Sequence, residues 1–349
     1  MKRRILITAT VAVLIFIMWK TVEILNAAGA FKTINPHFDG KLERIPLPVA
    51  GPEDIAADDS SGWVFISACD RRTANKGAIL AWNPDDSVRS FRDVTPAELT
   101  DFRPHGISLF RTSSGVLLLF VINHRSGNPG DVVERLEWRG DAFVHLETFA
   151  DSQLMTSPND LVAVGEREFY VTNDHYYIEP GMSRTLEEYL QREISFVNYF
   201  DGRTFRTVAD GFAYANGIGI SPDKNTIYVA SCTGGKITAF DRSADGSLTF
   251  RWAHNVATGV DNIDVDGSGD LWIGCHPQLL KFAAHSRDST EKSPSQVIRI
   301  KPGDTPAVEE IILTDGKLYS GSSVAVRRKN QLLVGSVFEP ALLVGWSKP

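Results

Sequence analysis

The chain reads as an all-β protein, a six-bladed β-propeller around a central channel, preceded by a hydrophobic N-terminal helix. Three features carry the architecture. A strand-like segment rich in β-branched and aromatic residues recurs six times, a shorter apolar alternation precedes each one, and the first thirty residues differ in composition from everything after them. The longer segments are WVFIS from Trp63, VLLLFVIN from Val116, FYVTN from Phe169, TIYVAS from Thr226, LWIGC from Leu271 and LLVGS from Leu332. They lie about 45 to 60 residues apart, the period of a fold that repeats one several-stranded blade around an axis. The alternations are DIAAD from Asp54, GISLF from Gly106, DLVAV from Asp160, GIGIS from Gly217, NIDVD from Asn262 and SVAVR from Ser323. Gly, Asp and Ser clusters such as Asp266-Gly267-Ser268-Gly269-Asp270 supply the turns between the two strands. Ring closure joins the two chain ends in one blade. The best helix candidate in the body is TLEEYLQREI, Thr185 to Ile194, an insertion over one face of the third blade.

Composition narrows the function. With 43% hydrophobic and 23% charged residues the chain is an ordinary globular one. Its 349 residues suggest two domains by length alone, but an all-β fold of this size closes as one. A formal net charge of −7 argues against a nucleic-acid partner, because phosphate binding needs a concentrated basic face. Cys69, Cys232 and Cys275 stand far apart without CxxC spacing, which argues against a disulfide framework, a zinc knuckle or a redox pair.

Lys2-Arg3-Arg4 precedes an uncharged run from Ile5 to Trp19, the basic and apolar regions of an export signal. The run is shorter than the roughly 20 residues of a membrane span, although TVEILNAAGA extends it if Lys20 snorkels. Two outcomes stay open. Cleavage after Ala28-Gly29-Ala30 releases a secreted or periplasmic protein, whereas retention leaves residues 1–30 as a membrane anchor with its basic end in the cytoplasm. In both cases the propeller, residues 31–349, is exported.

The first strand of each propeller blade lines the central channel, so the residues that open those strands form a ring. In order they are Glu53-Asp54, His105-Gly106, Asn159-Asp160, Asn216-Gly217, Asp261-Asn262 and Ser322-Ser323. Like charges converging in a narrow, partly dry channel repel and lose hydration, and therefore require a cation. Glu53, Asn159, Asn216, Asp261 and Asn262 offer hard oxygens only, which selects calcium over zinc, copper or iron. By strand alternation Asp54 and Asp160 face away from that ion and could hold a second one, with carbonyls near Ile107 as further ligands.

His105 opens an inner strand and His124 ends its hairpin partner. Together they could pass a proton to and from water near neutral pH, or each could be a structural histidine bonded to a backbone carbonyl. His175 and His276 end strands of other blades, where they line the mouth or cap a turn, while His37, His145, His254 and His285 read as solvated.

The strings GPEDIA, RPHGIS, VINH, SPNDLVAVG, FYVTNDHY, GFAYANGIGISPD, VDNIDVDGSGDLWIGCHP and GSVFEPAL, in order from residue 51 to 342, resemble the paraoxonase/arylesterase family of calcium-dependent propeller hydrolases. The resemblance implies a catalytic calcium on Glu53, Asn159, Asn216, Asp261 and Asn262, and a structural calcium on Asp54, Asp160 and the Ile107 carbonyl. It implies a proton-relaying dyad of His105 and His124, with Glu53 as an alternative base, and a metal-polarised carbonyl. The substrates it implies are lactones and aryl esters, with phosphotriesters as a side activity. Departures bear on closure and on the pocket. No cysteine stands near Lys41–Ile45 or in ALLVGW to join the terminal strands, and Cys275 reads as a packed strand residue. The stretch ACDRRTANKG is charged where the vertebrate enzymes are more apolar, and Tyr214 stands where a phenylalanine is usual. A non-catalytic, calcium-stabilised propeller that binds a partner is the main alternative. A gluconolactonase- or strictosidine-synthase-like enzyme is another, though its channel residues differ from PHGIS and NDLVAVG.

Overall fold

Pro52, Pro104 and Pro158 open the innermost strands of the first three blades, Pro52–Ala57, Pro104–Arg111 and Pro158–Ala163. Proline has no N–H to donate and is tolerated at the first residue of an edge strand, which an innermost strand is. The other three are Ala215–Ile220, Gly259–Val265 and Ser322–Arg328. The computed structural model, which describes residues 2–347 apart from 74, 87–89, 128, 129 and 304, builds on these edges six four-stranded antiparallel sheets. Ala74 of the charged ACDRRTANKG stretch thus falls outside the described residues. The sixth sheet takes its outermost strand, Gly40–Pro46, from the start of the chain and the neighbouring strand, Ala341–Ser347, from its end. These two pair from Gly40↔Ser347 to Pro46↔Ala341, so backbone hydrogen bonds close the ring where no disulfide can.

Each innermost strand slips register near its start: at Pro52/Asp54, Pro104/Ile107, Pro158/Leu161, Ala215/Ile218, Val260/Ile263 and Ser322/Val324. A bulge interrupts pleat alternation and re-aims side chains. The six bulges fall on the six ring pairs, so Asp54 and Asp160 are set apart from Glu53 and Asn159 as expected, but at a bulge and not by plain alternation. Glu53 and Asn159 line a cavity at one end of the channel, and Asp54 and Asp160 line a second cavity further along it.

The core consists of six apolar clusters, one between each pair of neighbouring blades. Ile55, Val64, Val324 and Leu342 join the last blade to the first. In the next wedge Phe65 packs against Trp138 and Phe143, with ring centroids 5.0 and 4.9 Å apart. Each such side chain contributes about 1.5–3 kcal/mol by leaving water, and the wedges fix how far the innermost strands stand apart.

Among the described residues three helices lie outside the blades. α1 (Lys2–Ala27) is long and apolar enough from Arg4 to Ala27 to cross a membrane, and its apolar side chains, Ile5 to Trp19, are exposed. α2 (Met182–Tyr189) is the anticipated insertion, but it begins and ends earlier than the sequence suggested, because Gln191 takes a left-handed φ of 51° that stops the helix. α3 (Leu279–Arg287) was not anticipated; it follows Pro277 in the fifth blade, between the second and third strands, where α2 also lies in the third.

Glycine is required where innermost strands touch. A Cβ on Gly217 would stand 2.3 Å from the Asp261 carbonyl oxygen and 2.7 Å from Asn262 Cα, and one on Gly106 would stand 2.6 Å from Asp160 Cα. Because the obstruction is backbone, Gly217→Ala is expected to destabilise the fold by about 1–3 kcal/mol, read as a lower thermal midpoint. An unchanged midpoint contradicts this account of the channel spacing.

Candidate active site at the channel mouth

The innermost strands bring the oxygen-bearing residues together in burial. Glu53, Asn159, Asn216, Asp261 and Asn262 are all 1–5% exposed. Their hydrogen bonds leave a common remainder. Asn262 donates its amide Nδ2 to Glu53 Oε1 at 2.7 Å and to the Glu53 carbonyl at 3.2 Å. Asn159 donates Nδ2 to Asp174 Oδ2 at 3.0 Å. What remains buried without a partner is Glu53 Oε2, Asn159 Oδ1, Asn216 Oδ1 and Asn262 Oδ1, four oxygens from four of the five residues. Buried oxygens without donors are costly, and a cation among them would offset that cost. Among the described residues no three of His, Cys, Asp or Glu gather in metal-binding geometry. That is in keeping with a set that is mostly carboxamide, hard in character and suited to calcium.

Neighbours hold these ligand candidates in place. His276, buried in the cavity wall, bonds Asp261 Oδ2 at 2.8 Å. His175 is buried one step further out, with Nδ1 2.6 Å from Asp174 Oδ1 and Nε2 2.9 Å from Glu188 Oε1 of α2. Burial pushes the His175 imidazole down, but these two carboxylates outweigh it and raise it to about 9. Tyr214 stacks edge-on against His175 at 4.8 Å and holds a left-handed φ of 65°, a strained conformation for an aromatic residue. Burial, with Asp174 nearby, keeps its phenol well above the usual range and protonated.

Deeper in the channel, Asp54 Oδ2 accepts from the Ile107 N–H at 2.7 Å and Asp160 Oδ2 from the Ile218 N–H at 2.8 Å. These bonds tie the first blade to the second and the third to the fourth. Ile107 thus meets Asp54 through its N–H. Burial pushes the Asp54 and Asp160 carboxyls well above the usual carboxylate range, and like charge adds to it, from Asp160 and Glu53 on Asp54 and from Glu53 and Asp261 on Asp160. The same burial raises Asp261, against the pull of His276. Glu53 goes the other way: its burial is outweighed by His105, Arg71 and the Asn262 bond, and it is lowered.

The two candidate histidines meet. His124 Nε2 lies 2.9 Å from His105 Nδ1, and His105 Nε2 lies 3.4 Å from Glu53 Oε1. The line continues outward, because His124 Nδ1 is 2.9 Å from Asp131 Oδ1. Burial, then Arg71, pushes His105 down to about 4, so its imidazole is neutral at physiological pH. Two histidines expected in solvent are not there: His285 is 3% exposed and bonds the Glu291 carbonyl at 2.8 Å, and His145 is partly buried against Glu134 at 3.0 Å.

Sequence reading missed Asp131, Asp174, Glu188 and α3. Asp131 faces His124 directly across a hairpin, a pairing that strand register alone could have found. Asp174 stands inside the string FYVTNDHY and had a signal, whereas Glu188 reaches His175 only because of where α2 packs. Glu53, His105, Asn159, Asn216, Asp261 and His276 all face one cavity of about 460 Å³, whose upper walls come from α1, α2 and α3.

The profile of the family described as Arylesterase matches residues 51–345. Serum paraoxonase/arylesterase 1 of Homo sapiens is 37% identical over 290 residues, 81% of this chain and 81% of that one. Serum paraoxonase/arylesterase 2 of Rattus norvegicus is 36% identical over 248 residues, 70% and 69% of the two chains. Among solved structures, a gluconolactonase from Xanthomonas campestris superposes with a TM-score of 0.54 at 16% identity, over 91% of this chain and 99% of its own. Regucalcin from Agrobacterium tumefaciens, described as a calcium-binding protein, gives 0.53 at 13% identity, over 89% and 96%. At those identities the two structures speak for the propeller fold alone. The profile match and the paraoxonase relatives together show that the chain belongs to the arylesterase family.

Proposed function

We propose that the protein is a calcium-dependent hydrolase of lactones and aryl esters. The observation that carries the reading is one cavity lined by Glu53, Asn159, Asn216 and His105, in which Glu53 Oε2, Asn159 Oδ1 and Asn216 Oδ1 are buried without partners, as is Oδ1 of Asn262 bonded to Glu53, while His105 meets His124 at 2.9 Å. Membership of the arylesterase family supports the reaction class. A calcium ion on these oxygens and on Asp261 supplies Lewis acidity that polarises the substrate carbonyl and stabilises its oxyanion. Asp54 and Asp160, with Ile107, suit a second, structural ion deeper in the channel, where two buried carboxylates otherwise repel.

The chain's own residues handle the proton. A neutral His105 can take a proton from water at one nitrogen while His124 accepts at the other, and Asp131 favours the charge that develops on His124. Glu53, 3.4 Å from His105, is the alternative first acceptor. His276 orients Asp261, and Asp174 orients Asn159 so that its oxygen faces the channel. Ester-sized substrates fit the cavity, and phosphotriesters follow as a side activity because the same charge stabilises their oxyanion.

Retention of the N-terminal segment is the reading we favour, with export of the propeller. Ile24, Leu25 and Ala28 form part of the cavity wall, and the Ala28 carbonyl accepts the Leu279 N–H of α3 at 3.0 Å. Cleavage after Ala30 would strip that wall away.

Hydrolysis of a γ-lactone and of phenyl acetate is expected to disappear with chelator and return with calcium, and Asn159→Ala is expected to lower kcat/KM at least about 10- to 100-fold. Activity that survives the chelator contradicts the metal role. Asp131→Asn is expected to lower kcat about 10- to 100-fold with KM little changed; an unchanged kcat removes Asp131 from the relay.

A further inference from the structure

The cavity above the proposed calcium site is walled largely by hydrocarbon, with Leu25, Leu279, Phe282 and Phe338 among its lining residues. Into it reaches one partly buried cation. Arg71 stands in the loop after the second strand of the first blade (Val64–Ala68) and lines the cavity near Glu53 and His105. Its guanidinium has five donors, of which one is engaged: Nη2 donates to the Pro104 carbonyl at 3.0 Å. Its Nε is buried with no hydrogen-bond partner, and among the described residues no carboxylate lies within ion-pair distance of it.

The neighbouring residue fastens the loop. Arg72 donates Nη2 to the His285 carbonyl at 2.6 Å and lies over the Phe338 ring, 4.3 Å from its centroid. Arg71 is therefore held on both sides, by Pro104 and by the fixed Arg72, and pays little ordering entropy when it meets a ligand. Its electrostatic surroundings point the same way. The two acidic ligands nearby, Glu53 and Asp261, would balance the two charges of one calcium ion, and the third carboxylate of the lining, Glu188, is paired with His175 and Arg184, which leaves the Arg71 guanidinium without an ion-pair partner among the described residues. The other arginine of the lining, Arg287, is exposed and hydrogen-bonds the Tyr189 hydroxyl at 3.4 Å.

We propose that Arg71 binds a carboxylate carried by the substrate away from the bond that is cleaved, so that the preferred substrates are acidic lactones and esters. This rests on the hydrolase reading and adds the substrate class. A guanidinium matches a planar carboxylate with two parallel hydrogen bonds, which a lysine in its place cannot do. The Nη donors not engaged by Pro104 take the carboxylate, and the hydrocarbon walls take the acyl or aryl remainder.

The test compares monophenyl adipate with its N-methylamide, which differ in the remote charge, in the wild type, Arg71→Met and Arg71→Lys, all calcium-loaded and matched in thermal midpoint. The wild type is expected to favour the acid, and Arg71→Met to lower the acid-to-amide ratio of kcat/KM about 10- to 100-fold, chiefly through KM of the acid, because loss of the charge beside His105 and Glu53 acts on both esters alike and cancels in the ratio. Arg71→Lys is expected to fall between. An acid-to-amide ratio equal in the wild type and Arg71→Met overturns the proposal while leaving the hydrolase reading in place. Calorimetry with glutarate supplies a readout that needs no turnover. Glutarate is expected to bind the wild type and at least 10-fold more weakly to Arg71→Met; equal binding to both, or none to the wild type, overturns the proposal. If neither ester is hydrolysed and glutarate still binds through Arg71, the anion site stands and the hydrolase reading fails.

Discussion

Four carboxylates held out of water in one narrow channel are the constraint on which the rest of this molecule depends. Glu53, Asp54, Asp160 and Asp261 are each 1–5% exposed, and burial pushes three of them toward their protonated forms. A protein can hold such a group only by donating to it, by neutralising it, or by placing a cation among its members. The channel uses the first for Asp54 and Asp160, through the N–H groups of Ile107 and Ile218. It leaves Glu53 and three carboxamides with oxygens that nothing among the described residues satisfies. The proposed calcium ions are the remaining half of that arrangement.

The blades exist to keep that ring at one spacing. Six apolar wedges set the distance between neighbouring innermost strands, the bulges turn their opening residues onto the axis, and Gly106 and Gly217 let backbone approach backbone where a methyl group would not fit. The outer insertions then decide what can reach the ring. α2 is tied to the site through Glu188 and His175, and α3 carries the last residues of the N-terminal segment against the cavity. An exposed apolar helix that could cross a membrane thus ends at the wall of the candidate active site.

Much of this was legible in the sequence, for physical reasons that differ from residue to residue. A propeller repeats its pattern, so six strand pairs and their opening residues could be aligned by phase alone, and Glu53, Asn159, Asn216, Asp261 and Asn262 emerged as a ring from that phase. His105 and His124 were within reach because a hairpin joins them. Asp131 and Glu188 were not singled out. The first depends on the register across a further strand, and the second on where a single helix packs, and neither leaves a periodic trace. α3 escaped for the same reason, as an element with no repeat partner, and His285 read as solvated because the loop of Arg72 that covers it is far away in the chain. The alternation argument for Asp54 and Asp160 separated two sites by the wrong means, because bulges, which a sequence does not announce, replace the pleat at those positions.

The most direct test of the central claim is a count of calcium ions per chain, by equilibrium dialysis and elemental analysis of the purified protein, beside Asn262→Ala and Asp160→Asn. The account predicts two ions on the wild type, with the first substitution weakening the site at the channel mouth and the second weakening the deeper one. A wild-type protein that retains its fold and binds no calcium would contradict it.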